Sequence, residues 1–336
     1  MSKKTLNAEN LAALGVEALA NLLIEVSTGS AEIKRRLRLE LSHNLGPAEL
    51  ARDVRKRLVS IRRSTSFVGW RRRKALIKDL RTQAEMITDK IAPESPDDAF
   101  DLLWDFIDLA PSVYERVDDS RGDVGDVFRE ALAHLETISA RANLDSELLA
   151  SRVWDALCDN GYGQFDGIIG LMAEALGAAG LEHLKALIEM HAGAPVDEPE
   201  GHAAIQFLRE LRSSGGNYVA EQKSRLIKHC LQEIAVAQGD TAAYVAQYST
   251  AELSRPHIAA EVADLELSEG RAEEALAVLN GADLSERGCD DLRWDAAYVA
   301  CLLALDRLDD AQAHRWACFC ATLEAGILRD YLKGLP

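Results

Sequence analysis

The hydrophobic residues of this 336-residue chain recur mostly every three or four positions, which is the spacing of one face of an α-helix. Between residues 48 and 63, for example, Leu50, Val54, Leu58 and Ile61 fall on a single helical face. Strands would need alternating apolar residues or β-branched runs, and such runs are nearly absent. Good helix formers such as alanine, leucine, glutamate and arginine are abundant. The pattern therefore predicts an all-α protein.

The C-terminal third carries a helix–turn–helix pattern that repeats. Three segments align at Gly239, Gly270 and Asp306, and each has an apolar helical stretch, a tight turn and a second helix that starts with small and acidic residues. Gly270 follows Gly239 by 31 residues, and Asp306 follows Gly270 by 36. Such spacings are typical of stacked helical repeats. The sequence therefore predicts a solenoid-like array of helical-hairpin repeats at this end of the chain, with an N-terminal helical subdomain before it.

Two stretches that contain proline divide the chain. The first runs from residue 92 to 98, where Ser95 and Pro96 are suited to cap and begin a helix. The second, from residue 193 to 201, is the longest run rich in proline and glycine. We therefore expect three regions, namely a basic N-terminal helical subdomain (1–92), an acidic middle helical region (93–200) and C-terminal tetratricopeptide-like hairpins (201–336).

Charge changes sign at the first of these boundaries. The whole chain has 38 Lys and Arg against 55 Asp and Glu, a formal net charge of −17. Residues 1–92 contain 19 basic and 10 acidic residues, a net charge of +9. The remainder contains 19 basic and 45 acidic residues, a net charge of −26. Such an asymmetry raises the question of an anionic partner for the basic part.

A basic face is the sharpest candidate for a binding site. In the helix expected from about residue 68 to 91, Arg71, Lys74, Lys78 and Arg81 form one stripe, roughly opposite an apolar side. Two preceding helices add further cations, namely Arg35, Arg38, Arg52 and Arg55. If these faces are coplanar, they form a surface that binds the phosphates of nucleic acid. The alternative is that the cations are solvated or pair with the acidic remainder of the chain.

Phe67 and Trp70 flank this stripe. Aromatic side chains beside cations are able to stack on nucleic-acid bases. An aromatic residue at the start of a helix more often packs inward, however, and no base-reading motif accompanies the charge. We therefore expect these two rings to pack inward.

Motifs for catalysis, metals or cofactors are weak. The stretch Asp118–Asp126 lacks one ligand and the glycine of a calcium loop. The loop Asn160–Gly167 has the wrong spacing for a phosphate-binding loop and follows no strand. We expect both to be turns. Cys318 and Cys320 diverge around a helix, with no second pair and no nearby histidine to complete a zinc site. We therefore assign no catalytic residue, metal ligand or cofactor, and a binding protein is favoured over an enzyme.

The cysteines and the N-terminal residues indicate the cellular compartment of the protein. The six cysteines are scattered through helical patterns, which is typical of reduced, mostly buried thiols. The N-terminal stretch is broken by glutamates and a glycine, unlike a signal peptide. No apolar run is long enough to span a membrane. We expect a cytoplasmic protein without membrane association.

The C-terminal units resemble tetratricopeptide repeats. In the second unit, Gly270 matches the turn position, and Ala263 and Ala275 match the small residues of the two helices. In the third unit, Ala311 matches the small residue of the second helix, while Asp306 replaces the turn glycine. The resemblance implies stacked hairpins with a concave surface. The family's peptide groove does not transfer residue by residue, because the turn and aromatic positions depart from the family pattern.

Over most of its length the chain also resembles an uncharacterised bacterial family of helical proteins. Three stretches carry this resemblance, namely Ser66–Arg72, Leu102–Asp119 and Tyr162–Gly167. It brings no activity with it. We therefore expect a non-catalytic interaction or scaffold protein that binds another protein or a peptide in the concave surface of its C-terminal hairpins. The alternative is a nucleic-acid-associated protein that binds phosphates through its basic N-terminal helices.

Overall fold

The structure, a computed structural model, describes residues 4–195, 218–286 and 292–335. Every regular element in these three ranges is a helix, and the one β-bridge, between Val68 and Val117, is isolated. The all-α prediction is therefore confirmed. The chain forms two compact units, which we call the N-terminal unit (residues 1–184) and the C-terminal unit (residues 185–336).

The charge change at residue 92 falls inside the N-terminal unit, which thus contains both basic and acidic helices. Its first helices are α1 (Ala8–Ala12), α2 (Val16–Ser27), α3 (Ala31–Leu45), α4 (Pro47–Arg62) and α5 (Trp70–Glu85). The long helix expected to end near residue 91 is α5 followed by a π-helical segment, Met86–Ile91. The boundary expected at residue 200 lies outside the described residues.

The remaining helices up to residue 193 are α6 (Pro96–Ile107), α7 (Ala110–Tyr114), α8 (Asp123–Ser139), α9 (Ser146–Cys158), α10 (Ile168–Leu171) and α11 (Ala173–Gly193). Backbone constraints explain several of their ends. Pro96 lies in the first turn of α6, where a missing N–H costs nothing. Ser95 precedes it, but its hydroxyl donates to Asp98 instead of accepting a backbone N–H. Gly177, with a φ of 55°, interrupts α11.

The core of the N-terminal unit is built around α6, which buries seven of its twelve residues and packs against α4, α8 and the π-helical segment. Its aromatic side chains meet rings from distant parts of the sequence. The centroids of Phe106 and Phe128 are 5.3 Å apart, and those of Trp104 and Phe165 are 5.0 Å apart. Such ring pairs contribute beyond the area that they bury. These rings all lie after residue 92, and the packing of α6 on α4 and the π-helical segment joins them to the basic helices.

The two acidic or glycine-rich loops are turns, as the sequence predicts. The carboxylate of Asp119 accepts the backbone N–H groups of Val124 and Gly125 at the start of α8, at 2.9 and 2.8 Å. Asn160 accepts the N–H of Phe165 at 2.9 Å and donates to Asp166 at 2.7 Å. These polar side chains thus satisfy the backbone of their own loops.

The C-terminal unit continues with α12 (Tyr218–Gln238), α13 (Thr241–Val245), α14 (Thr250–Leu253), α15 (Pro256–Ser268), α16 (Ala272–Asn280), a 3₁₀ turn (Leu284–Glu286), α17 (Arg293–Ala304), α18 (Leu308–Thr322) and α19 (Ala325–Lys333). Neighbouring helices pack on one another, α15 against α16 and α17, and α18 against α17 and α19. Small residues dominate the contact between α15, α16 and α17, namely Ala259, Ala260, Ala263, Ala275, Ala297 and Cys301.

The three aligned segments share one turn geometry. Gly239, Gly270 and Asp306 all have a positive φ, of 66°, 78° and 57°. The N–H one residue later reaches back five residues each time, at 2.8 Å for Asp240 to Ala235, 2.9 Å for Arg271 to Glu266 and 2.8 Å for Arg307 to Leu302.

This pair of features, a left-handed residue and a long backward hydrogen bond, is the Schellman ending of a helix. Five residues after each left-handed position lies a buried side chain of the next helix, from Tyr244, Ala275 and Ala311. The alignment made on the sequence therefore corresponds to one repeated backbone geometry.

Candidate functional site

A groove between α2, α3 and α5 has a volume of about 610 Å³. Apolar side chains line it, namely Leu23, Ile33, Leu37, Leu39 and Ile77. Cations surround them, namely Arg35, Arg36, Lys74, Lys78 and Arg81. Three carboxylates, from Glu32, Asp79 and Glu85, also reach the groove. We call this feature the cationic groove.

Asp79 explains why several of these cations point where they do. Its carboxylate is buried in the middle of α5, where an unpaired charge would be strongly destabilising. Arg57 from α4 donates to it through two nitrogens, one of them at 3.0 Å, and Arg35 from α3 lies 4.0 Å away. The amide of Gln83 completes the set at 3.4 Å. This network holds α3 and α4 against α5.

The stripe on α5 is only partly available to a partner. Lys78 pairs with Glu32 at 2.6 Å, and Arg81 lies 3.8 Å from Glu130. Arg71 and Lys74 are exposed, and no carboxylate lies within ion-pair distance of them among the described residues. Half of the stripe is therefore neutralised inside its own unit.

The cations predicted on the preceding helices are divided. Arg35 lines the cationic groove together with Lys74, Lys78 and Arg81 from α5. Arg38 and Arg55 are exposed elsewhere on α3 and α4, and Arg52 pairs with Glu49 on its own helix at 3.1 Å. The structure thus brings four of the eight predicted residues to the groove and leaves Arg38, Arg52, Arg55 and Arg71 outside its lining.

Two aromatic rings beside the stripe face solvent, so the expectation that they pack inward was wrong. The exposed fractions are 61% for Phe67 and 75% for Trp70. The reason is the bridge in which the N–H of Val68 donates to the carbonyl of Arg116 at 2.8 Å. It fixes the segment before α5, with Val68 half-buried and its neighbour Phe67 turned outward. The guanidinium of Arg71 lies 5.0 Å from the centroid of the Trp70 ring. We call Phe67, Trp70 and Arg71 the aromatic patch.

The last helices of the C-terminal unit leave apolar side chains uncovered. Along α18 only Ala311 is buried, and α19 buries none of its residues. Besides Leu308, the exposed apolar residues are Trp316, Leu323, Leu332 and Leu335, and we call these last four the apolar end face. The ring of Trp316 packs against those of Phe319 and Tyr331, with centroids 5.6 and 5.1 Å away. No other helix of the described residues buries these four side chains.

A carboxylate, an imidazole and a thiol meet between α17 and α18. Nε2 of His314 lies 2.8 Å from Oδ1 of Asp295, and the donor atoms of Asp295, His314 and Cys318 all lie within 4.8 Å of one another. The expectation that no histidine lies near Cys318 was therefore wrong. The signal in the sequence was His314 four residues before Cys318, whereas the spacing of Cys318 to Cys320 drew attention to the wrong pair. Cys289 lies outside the described residues.

Two large pKa shifts lie in the packed core of the C-terminal unit and away from the groove. Burial and the nearby charge of Asp264 raise the pKa of Cys301 to about 11, so its thiol stays protonated. Burial and a hydrogen bond to Glu261 raise the pKa of Tyr244 well above its usual value. Because both side chains are buried in the C-terminal unit, these shifts reflect packing.

In the described ranges, none of the helices combines the length and the apolar character needed to cross a bilayer. Comparison with known proteins adds the following. No curated protein and no solved structure matches the chain. A family description does match along the whole length, which confirms the expectation of an uncharacterised family. The matched residues are 1–336, and the chain belongs to the family of unknown function DUF6880.

Proposed function

We propose that this protein is a non-catalytic interaction module that binds a partner protein through its C-terminal hairpins. The observation that supports this proposal is the apolar end face of α18 and α19. Large exposed apolar patches on folded proteins mark interaction surfaces. Tryptophan is also enriched among the residues that contribute most to protein–protein binding. Trp316, with Leu332 and Leu335 beyond the turn at Leu323, provides such a surface.

The packing of the hairpins supports the same proposal. Ala311 is fully buried, so α18 meets its neighbour through a small side chain. Its larger side chains, such as Trp316, are left half-exposed instead of filling the core. A partner that covers Trp316 and Leu332 would remove apolar surface from water, at roughly 25 cal/mol per Å² of area buried. The stacked hairpins would supply the rigid support that such a surface needs.

The test uses the full-length chain and two tryptophan variants. The double variant Trp316→Ala and Leu332→Ala should capture at least tenfold less of a partner protein that the wild type binds, as measured by quantitative pull-down and mass spectrometry. The reason is that a tryptophan at the centre of an interface contributes roughly 2 kcal/mol or more. Trp70→Ala is the matched control, since it removes an exposed tryptophan from the other unit. Equal loss of the same partner in both variants, or no loss in either, would contradict the proposal.

A second function, binding of single-stranded nucleic acid, is favoured by the aromatic patch. Exposed aromatic rings next to cations are how many proteins bind unpaired bases and their phosphates. Phe67 and Trp70 offer two ring faces, and Arg71 and Lys74 are exposed beside them. Lys74 follows Trp70 by one helical turn and also lines the cationic groove, which continues the positive surface along α5. The ion pairs of Lys78 and Arg81 limit this surface.

Fluorescence anisotropy with a labelled single-stranded oligonucleotide tests this second function. Binding should weaken steeply as salt is added. Trp70→Ala should weaken it by roughly 1–3 kcal/mol, the usual contribution of one stacked base. The double variant Arg71→Glu and Lys74→Glu should flatten the salt dependence, and Trp316→Ala should bind as the wild type. Absence of binding at low salt would eliminate this function.

The remaining assignments are part of the same proposal. We propose no catalytic residue and no bound cofactor for the interaction function. We place the protein in the cytoplasm, which is supported by its scattered cysteines. The apolar end face and the aromatic patch lie in different units, so variants of one should leave the other function unchanged.

A further inference from the structure

We propose that Asp295, His314 and Cys318 bind one divalent transition-metal ion of zinc-like chemistry. The site would use one carboxylate oxygen, one imidazole nitrogen and one thiolate sulfur. It lies within the α17–α18 hairpin and uses none of the four residues of the apolar end face. The proposal therefore does not depend on the proposed functions.

The hairpin brings the three side chains together. His314 and Cys318 are one helical turn apart on α18, so both project from the same face of that helix. Asp295 lies in the first turn of α17, on the other side of the turn at Asp306. The antiparallel return of the chain after Asp306 places this first turn of α17 opposite the middle of α18.

The distances are close to those that a metal ion requires. Zinc bonds of about 2.0–2.3 Å in a tetrahedron place the donor atoms roughly 3–4 Å apart. Here the imidazole nitrogen and the carboxylate oxygen are 2.8 Å apart, and every pair of donor atoms lies within 4.8 Å. Binding would require the side chains to rotate until all three donor atoms reach coordination distance.

The donor set selects the kind of ion. Thiolate and imidazole ligands favour zinc and similar transition metals, whereas magnesium and calcium prefer oxygen alone. Three protein ligands also leave a fourth position for water, which is the pattern of zinc sites that remain open to a further ligand.

The site is partly shielded from solvent, and its imidazole is held in place. The side chain of Asp295 is only 9% exposed and that of His314 is 23% exposed. The rings of Trp294 and Tyr298 pack on the imidazole, with centroids 6.0 and 4.8 Å away, and restrict its movement. A dication would neutralise both Asp295 and the thiolate of Cys318.

Binding would release a proton from the thiol, since the sulfur coordinates as a thiolate. The S–H bond of Cys318 breaks, the S–metal bond forms, and the proton passes to the buffer. The affinity should therefore rise with pH. If the three side chains only contact one another and other groups of the protein, no metal binds and no proton is released.

Cobalt titration of the purified full-length protein tests the site, after removal of bound metal with a chelator. One Co²⁺ per chain should bind and produce the thiolate-to-cobalt absorption band of the near ultraviolet, and Zn²⁺ should displace it. Cys318→Ser should abolish the band and weaken Zn²⁺ binding by more than about tenfold. Loss of a residue that only supports a metal ligand already lowers metal affinity by about tenfold or more. His314→Gln and Asp295→Asn should weaken binding similarly.

Cys320→Ser provides the matched control, because it removes a thiol from the same helix two residues away. This variant should bind cobalt as the wild type does. The proposal is overturned if the wild-type chain gives no thiolate band, or if Cys320→Ser loses the band as fully as Cys318→Ser. The wild-type titration decides the question even where a ligand variant fails to fold, which circular dichroism reveals.

Discussion

The two units bury different kinds of side chain. The N-terminal unit encloses large aromatic rings, among them Phe100, Phe106, Phe128 and Phe165, each of which is almost completely buried. The hairpins of the C-terminal unit meet mainly through alanines, such as Ala263 and Ala275. The first arrangement depends on a few bulky residues, whereas the second depends on close approach of helices.

The range of the contacts differs as well. In the N-terminal unit, α6 packs against α4 and α8, and Arg62 reaches Asp108 across 46 residues at 2.8 Å. In the C-terminal unit, the main contacts join helices that follow one another in the chain, as in α15 with α16 and α17 with α18. A structure made of neighbour contacts loses stability locally when one contact is changed. A single core loses it throughout the unit.

The largest difference should come from removing one ring of the aromatic core. Phe106→Ala deletes a side chain with no exposed surface that contacts the Phe128 ring, so it should destabilise the N-terminal unit by about 3–5 kcal/mol. Hydrogen exchange during urea unfolding reads this loss separately in each unit. Phe67→Ala is the matched control, since Phe67 is mostly exposed and its removal should change stability little. Similar losses in the two variants would argue against a single aromatic core.

Overfilling the alanine contact is the corresponding change in the C-terminal unit. Ala275→Leu adds volume where α16 meets its neighbours, and it should destabilise the unit by roughly 1–3 kcal/mol. As urea is added, hydrogen exchange should increase first in the backbone amides of α15 to α17. Ala277→Leu lies on the same helix at an exposed position and should be tolerated. If Ala275→Leu also removed the protection of the α6 amides against hydrogen exchange to the same extent, the contacts of the C-terminal unit would not be local.

These contrasts mark what the sequence is able to predict. Periodicity and turn residues predicted the helices and the common turn at Gly239, Gly270 and Asp306, because both depend on neighbouring residues. The exposure of Trp70 could not be predicted, since it depends on the bridge of Val68 to Val117, 49 positions along the chain. The pairing of Lys78 with Glu32 likewise depends on how α3 lies against α5.

The proposed metal site could not be predicted from the sequence for a similar reason. His314 and Cys318 share a helix, and their spacing is visible in the sequence. The third donor, Asp295, comes from another helix and approaches only when the hairpin closes. Spacing along one helix could therefore have pointed to two donors at most, whereas the proposed site also needs the third.

Substitutions at the turn residues should change the stability of the hairpins by a smaller amount. The sign of this change should differ between two equivalent turn positions. Gly270→Ala places a side chain at a φ of 78°, which should cost about 1 kcal/mol although open space surrounds the new Cβ. Asp306→Gly relieves the same strain at a φ of 57° and should stabilise the third hairpin by up to about 1 kcal/mol. Thermal unfolding of the two variants measures both changes. A loss of stability in Asp306→Gly would mean that the aspartate side chain stabilises the turn.

The smallest effect should come from a partly exposed ion pair between Lys228 and Glu252 at the start of α14, and it should depend on pH. A hydrogen bond from Lys228 at 2.6 Å, followed by hydrogen bonds from Ser249, lowers the pKa of Glu252 from 4.5 to about 2. Because the pKa is lower in the folded state, this carboxylate stabilises the fold above pH 4.5, and the contribution is lost as the pH falls towards 2. Glu252→Gln keeps a side chain suited to the helix cap but removes the charge.

The variant should therefore be less stable than the wild type at pH 7, and the two should become equal near pH 2. The difference should be small because Lys228 and Glu252 are both partly exposed, and added salt should reduce it further. Glu274→Gln, an exposed change of the same charge on α16, corrects for the altered net charge. A stability difference that stays constant from pH 7 to pH 2 would mean that Glu252 acts through its shape in the cap and not through its charge.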